Sequence, residues 1–198
     1  RRDCDYPFKG LAGVGVTFKV VQILSQAFMD GVQRRRYLND LLDLVALGSI
    51  ADVMPVLGEN RVLVRHGLKV MEDTKRPGLR YLKAIARCAD GPLNTTSVGF
   101  YLGPRLNVAG RLEKADLALQ LLRATQDQQA TLLADKLDRL NTKRRSLQKT
   151  AMQEAEDLVT AEDLEKERII VLLGETWHLG IIGLLAGRLT EQFRRPAV

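Results

Sequence analysis

The chain has 198 residues, 45% of them hydrophobic and 27% charged, which suits one or two soluble domains with a real core. No run approaches the roughly 20 apolar residues of a membrane span. Two cysteines are too few for a disulfide framework and no leader is visible, so a reducing, cytoplasmic setting without membrane partners is expected. The net charge of +6 favours polyanion partners, yet a merely basic protein would look the same. Arg1 stands where an initiator Met would, and 193–198 reads as the approach to a strand, so both ends are expected to fall within motifs.

Residues 1–10 are polar and carry Pro7, which predicts a loop. Leu11 to Met29 opens with Gly13 and Gly15 and continues through Phe18, Val20, Val21, Ile23, Leu24, Ala27 and Phe28, a spacing that predicts a buried helix. Arg34-Arg35-Arg36 is expected at a solvated helix start. Leucines at 38, 41, 42, 44 and 47 predict a helix over Tyr37–Leu47 that Gly48 breaks. Ser49–Met54 then reads as a short strand or turn stopped by Pro55. Glu59–Met71 and Leu79–Cys88 read as helices, with Pro77-Gly78 and Asp90-Gly91-Pro92 as punctuation. Ser97–Leu102 is short and mixed.

The longest periodic stretch is Asp116–Leu158. Its leucines predict a short helix to about Leu122 and a long one from about Asp127 to Val159, about 50 Å in length. Lys136, Arg139, Lys143, Arg144, Arg145 and Lys149 fit a solvated face of that helix better than a DNA contact. Arg168–Leu173 predicts a buried strand, 176–180 a loop, and Ile181–Phe193 a helix, a strand–loop–helix unit that would begin a second α/β domain.

Three places carry candidate chemistry. Asp52 ends an apolar run; at a strand end it would point into a ligand crevice, while a turn-forming Asp is the commoner use of such a residue. One carboxylate alone is never a metal site. Gly103–Arg111 is denser: Arg105 and Arg111 can fork onto phosphate oxygens, Asn107 can donate and accept, and both arginines could face one groove if the segment is part loop and part helix start. Trp177–Gly183 sits between a strand and a helix, so Gly180 and the helix N-terminus suit an anion and His178 can hydrogen-bond one, while Trp177 is expected in the core. His66 fits a structural role within a helix. The chain contains no P-loop, no dinucleotide fingerprint, no CxxC, no HExxH and no G-x-S-x-G.

Taken in order, Tyr6–Val16, Leu41–Pro55 with Glu59-Asn60-Arg61, Gly103–Arg111 and Trp177–Gly183 resemble four successive segments of the RecJ family of single-strand exonucleases in the DHH phosphoesterase superfamily. The resemblance implies an α/β, helix-rich fold: residues 1–112 as the C-terminal part of a DHH domain, 113–160 as a helical connector, and 161–198 as the start of a smaller DHH-associated domain. It implies Mn²⁺ or Mg²⁺, with Asp52 as one ligand and the others, an Asp-x-Asp and the Asp-His-His motif, before Arg1. A Ser/Arg clamp for the terminal phosphate would follow Val198. Arg105, Asn107 and Arg111 would hold substrate phosphates, with His178 and Gly180 at the cleft from the second domain. The implied activity is 5′→3′ hydrolysis of single-stranded DNA in repair and recombination, absent from this stretch alone, with a single-strand-binding protein or a helicase as further partners. A non-catalytic nucleic-acid-binding module of the same fold and a phosphodiesterase for small nucleotides stay open as alternatives.

Overall fold

A computed structural model describes residues 3–89, 91–159 and 168–198. Among them are nine α-helices: α1 Gly13–Phe28, α2 Gly31–Asp40, α3 Leu42–Ala51, α4 Gly58–Glu72, α5 Pro77–Ile85, α6 Gly103–Leu112, α7 Asp116–Arg123, α8 Asp127–Leu158 and α9 Leu179–Phe193. A π-helical turn, Ser97–Leu102, runs directly into α6. The periodic stretches at 59–71, 79–88 and 116–159 became helices near the expected bounds. Asp90 and the expected domain boundary at 160/161 lie outside the described residues.

Local chemistry sets several ends. Asp30 caps α2, its Oδ1 accepting from the backbone N–H groups of Val32 and Gln33 at 2.8 and 2.9 Å. Pro77 opens α5, where its missing N–H costs nothing. Buried Lys83 closes α4 from outside, its Nζ donating to the carbonyls of Met71 (3.0 Å) and Glu72 (2.6 Å). Buried Asp43 accepts from Thr74 Oγ1 (2.8 Å), Arg76 Nε (3.1 Å) and the Leu44 N–H (2.7 Å), which ties α3 to the chain entering α5.

The main core gathers α3 to α7 and the first half of α8 around Met71, Leu79, Leu82, Val98, Leu102 and Leu137. A second core joins the last half of α8 to α9 through Ala151, Met152, Ala155, Ile181, Leu185 and Leu189. A third packs α1 on α3 and α4 through Phe18, Val45 and Leu63.

Four expectations need correction. α1 is not buried: Phe18 faces the third core, while Val16, Val20, Ile23, Leu24 and Phe28 are exposed, because an all-round apolar helix finds a partner here on only one side. Gly48 does not end a helix but lies inside α3, where a Cβ would sit 2.9 Å from Val14 Cγ1; it is a packing glycine under α1. Ser49–Met54 is neither strand nor simple turn, since α3 continues through Ala51. The strand at 168–173 is reduced to an isolated parallel bridge between Ile170 and Ala197. Its partner is only the last three residues: the Ile170 N–H donates to Pro196 O at 2.9 Å and the Leu172 N–H to Val198 O at 3.1 Å. Ile170 is buried while Ile169, Val171 and Leu173 are exposed, so the apolar run has one covered face rather than two.

Two glycines permit backbone-close helix contacts. A Cβ on Gly67 of α4 would collide with the Leu42 carbonyl of α3, and one on Gly78 of α5 with the Leu121 carbonyl of α7. Neither obstacle is a flexible side chain. Gly67→Ala and Gly78→Ala should each cost about 1–3 kcal/mol by overpacking. Urea titration would show this as a lower midpoint at unchanged slope; an unchanged midpoint would contradict the packing.

Candidate functional site

α3 ends in a Schellman arrangement: the Val53 N–H donates to Ile50 O (3.0 Å) and the Met54 N–H to Ser49 O (3.1 Å). The residue that must turn left-handed is Val53, at φ 54°, where glycine is usual and a β-branched side chain is strained. Asp52 is the C-cap immediately before it, exposed, with no hydrogen-bonded side-chain partner among the described residues. The carboxylate thus stands at a helix end, not at the strand end the sequence suggested. Buried Asn60 holds the following loop, its Nδ2 donating to Pro55 O (3.0 Å) and Gly10 O (2.7 Å). Tyr6 and Lys19 meet Glu59 beside it, at 2.8 and 2.6 Å, and Lys19 and then Tyr6 hold the Glu59 carboxyl below the usual carboxylate range. Val53→Gly should stabilise the fold by about 1 kcal/mol through relief of the left-handed strain. Thermal unfolding would check this, and a destabilised variant would contradict the strain.

Ala51 brings Asp52 to the start of α6, since a Cβ on Gly103 would lie 3.5 Å from Ala51 Cβ. The Gly103–Arg111 segment is wholly helical, joined to the preceding π-helix. A continuous helix places residues four apart on one face, so Asn107 and Arg111 share a face and Arg105 does not. Arg105 is instead committed to packing: its Nε donates to Asp138 of α8 at 2.8 Å and its Nη1 to Tyr101 O at 2.8 Å. Its side chain is only 15% exposed, so it braces α6 on α8. That corrects the expectation of two arginines in one groove. Asn107 is exposed.

At the far end of α6, about 12 Å along its axis from Gly103, Arg111 Nη1 donates to Gly180 O of α9 at 3.2 Å. A Cβ on Gly180 would strike the Arg111 carbonyl. His178 is the N-cap of α9, its Nδ1 accepting from the Gly180 N–H at 3.0 Å. That N–H is therefore spent, and Gly180 serves as a contact glycine rather than an anion ligand. Nε2 is the ring nitrogen of His178 left over from the cap, on an exposed residue. Trp177 packs on the second core as expected, its Nε1 donating to Glu154 of α8 at 2.8 Å.

One feature escaped the sequence reading. The inward stripe of α8 runs Ala130, Ala134, Leu137, Asn141, Arg144, Gln148, Ala151, Ala155, with steps of three and four throughout. Its middle is polar, and Asn141 and Gln148 are only 4% and 7% exposed. This band separates the main core from the second core, where Arg111 also meets Gly180. Burial, then the neighbouring Arg111, Arg145 and Arg188, lower the Arg144 pKa from its ordinary value. The break in the apolar stripe was the available signal.

The structure therefore brings Asp52, Asn107, Arg111 and His178 to the two ends and one face of α6. For a metal, Asp52 is the right kind of donor, a hard oxygen, but not enough of one. Among the described residues no three His, Cys, Asp or Glu side chains are grouped to hold an ion.

No family model matches the chain. It is similar to the curated single-stranded-DNA-specific exonucleases RecJ of Dickeya dadantii (39% identity over 208 residues, 99% of this chain and 36% of the relative), Escherichia coli (38% over 209, 100% and 36%) and Bacillus subtilis (38% over 195, 98% and 24%). It thus spans 24–36% of the length of these relatives. Among solved structures, RecJ from Thermus thermophilus in complex with Mn²⁺ superposes with a TM-score of 0.82 at 32% identity, over 98% of this chain and 28% of that one. The same protein in complex with Mg²⁺ gives 0.82 at 32%, over 98% and 29%. An exonuclease RecJ bound to manganese gives 0.83 at 31%, over 98% and 47%. Ordered likeness along nearly the whole chain, in sequence and in fold, places it in the RecJ family.

Proposed function

We propose that the chain forms one wall of the cleft of a metal-dependent exonuclease that degrades single-stranded DNA from its 5′ end, in DNA repair and recombination. The observation that carries this is α6, which sets an exposed carboxylate, Asp52, at one end and Arg111 and His178 at the other. In this reading Asp52 contributes one ligand to Mn²⁺ or Mg²⁺, and the remaining ligands belong to the part of the relatives' length that this chain does not span. Such a metal pair supplies an activated water and charge stabilisation at the phosphate. Asn107 and Arg111 bind phosphate oxygens from one helix face, and the Nε2–H of His178 donates from across the cleft. Arg105 and Gly180 keep α6 in place between α8 and α9. The contacts of α6 with α8 and α9 fix that spacing, and a narrow basic cleft admits a single strand more readily than a duplex.

Residues 1–112 are then the C-terminal part of a DHH domain, 113–160 the connector, and 161–198 the start of a DHH-associated α/β domain in which the Ile170–Ala197 bridge would extend into a sheet. A single-strand-binding protein or a helicase would deliver the strand, in the cytoplasm. Among the described residues no helix is long and apolar enough to cross a membrane.

The test compares a dinucleotide with an oligonucleotide as substrates of the natural protein carrying this sequence, under the same Mn²⁺ conditions. Preference for the oligonucleotide is expected. Preference for the dinucleotide would favour a small-nucleotide phosphodiesterase, and cleavage of neither a binding module.

A further inference from the structure

Between α8 and α9 lies an open groove of about 1020 Å³. Arg144, Arg145, Lys149 and Arg188 line it against two carboxylates, Glu156 and Glu191. None of the four cations forms an ion pair within 4.0 Å among the described residues. Arg111, at the end of α6, adjoins them closely enough to act on Arg144 electrostatically. Arg144 Nε is buried with no hydrogen-bond partner, and its Nη1 reaches Gln148 Oε1 only at 3.5 Å. The Asn141 side-chain oxygen, one turn away, is likewise orphaned.

Such a cluster works against the fold by itself. Like charges repel, and a buried N–H without a partner costs desolvation. An anion with several acceptor oxygens relieves both at once, and a phosphate matches the guanidinium fork.

We propose that Arg144 and Arg188 form a second phosphate site that seats a backbone phosphate of the bound single strand, away from Asp52. It rests on the reading that the ligand is a single strand.

The test uses the natural protein carrying this sequence, with Arg144→Gln, Arg188→Gln and Arg188→Lys, and two probes: inorganic phosphate and a short oligothymidylate. Each Gln variant should bind the oligonucleotide about tenfold more weakly. The slope of log affinity against log salt should become shallower by about 0.7 for the lost phosphate contact. Arg188→Lys should keep the wild-type slope. Phosphate should raise the Tm of the wild type and do so less in both Gln variants. Arg144→Gln should be no less stable than the wild type without anion, which separates a ligand role from a structural one. Unchanged affinity and slope in both Gln variants, with strand binding intact in the wild type, would overturn this site and leave the proposed function standing. A wild type that gains stability from phosphate but binds no strand would overturn the strand assignment and the proposed function together.

Discussion

Asp52→Ala in the natural protein should abolish Mn²⁺-dependent cleavage of single strands while leaving strand binding and folding intact. The separation follows from position. Asp52 is exposed and its side chain has no hydrogen-bonded partner among the described residues, so its loss removes no packing. Its backbone N–H still donates to Gly48 O at 3.0 Å, so the end of α3 is kept by the main chain. Loss of one carboxylate ligand removes charge stabilisation at the metal, an effect of at least 100-fold, or roughly 3 kcal/mol in the barrier. Single-turnover cleavage and filter binding measure the two properties separately. Unimpaired cleavage would refute the ligand role.

Asp43→Ala should do the opposite and fail in stability. Asp43 is 1% exposed and joins Thr74, Arg76 and the Leu44 N–H in one network. Removing the shared acceptor strands several donors at the α3–α5 junction, at a cost of about 3 kcal/mol. In a chain of this size that lowers Tm by about 6–12 °C. A calorimetric scan of Asp43→Ala beside Asp52→Ala is the clean comparison, because both remove one carboxylate from α3 or its cap. Equal Tm values for the two variants would contradict the assignment of one to structure and the other to chemistry.

The long helices were legible because their chemistry is local. In 116–158 leucines recur at helical spacing with charges between them, and α7 and α8 formed within a residue or so of the expected bounds. Residue chemistry singled out Asn107, Arg111 and His178 as candidates, and the ordered motif resemblance added a ligand role for Asp52; periodicity would not have singled out any of them. What failed depended on partners distant in sequence. Gly48 looked like punctuation but answers to Val14, 34 positions earlier. Arg105 looked like a phosphate fork, yet Asp138, 33 positions later, claims it. Nothing in the local sequence marks Asp43 or Asn60 as structural, since they have partners 31–33 and 50 positions away. Arg144 was assigned to a solvated face, although the spacing already placed it on the inward stripe with Asn141 and Gln148.

The most direct measurement is degradation of matched single-stranded and duplex DNA, each labelled at the 3′ end, by the natural protein with Mn²⁺. The account predicts progressive shortening of the single strand from its 5′ end, no comparable loss of the duplex, and no cleavage of either after Asp52→Ala. Equal degradation of duplex and single strand, or shortening from the 3′ end, would contradict it.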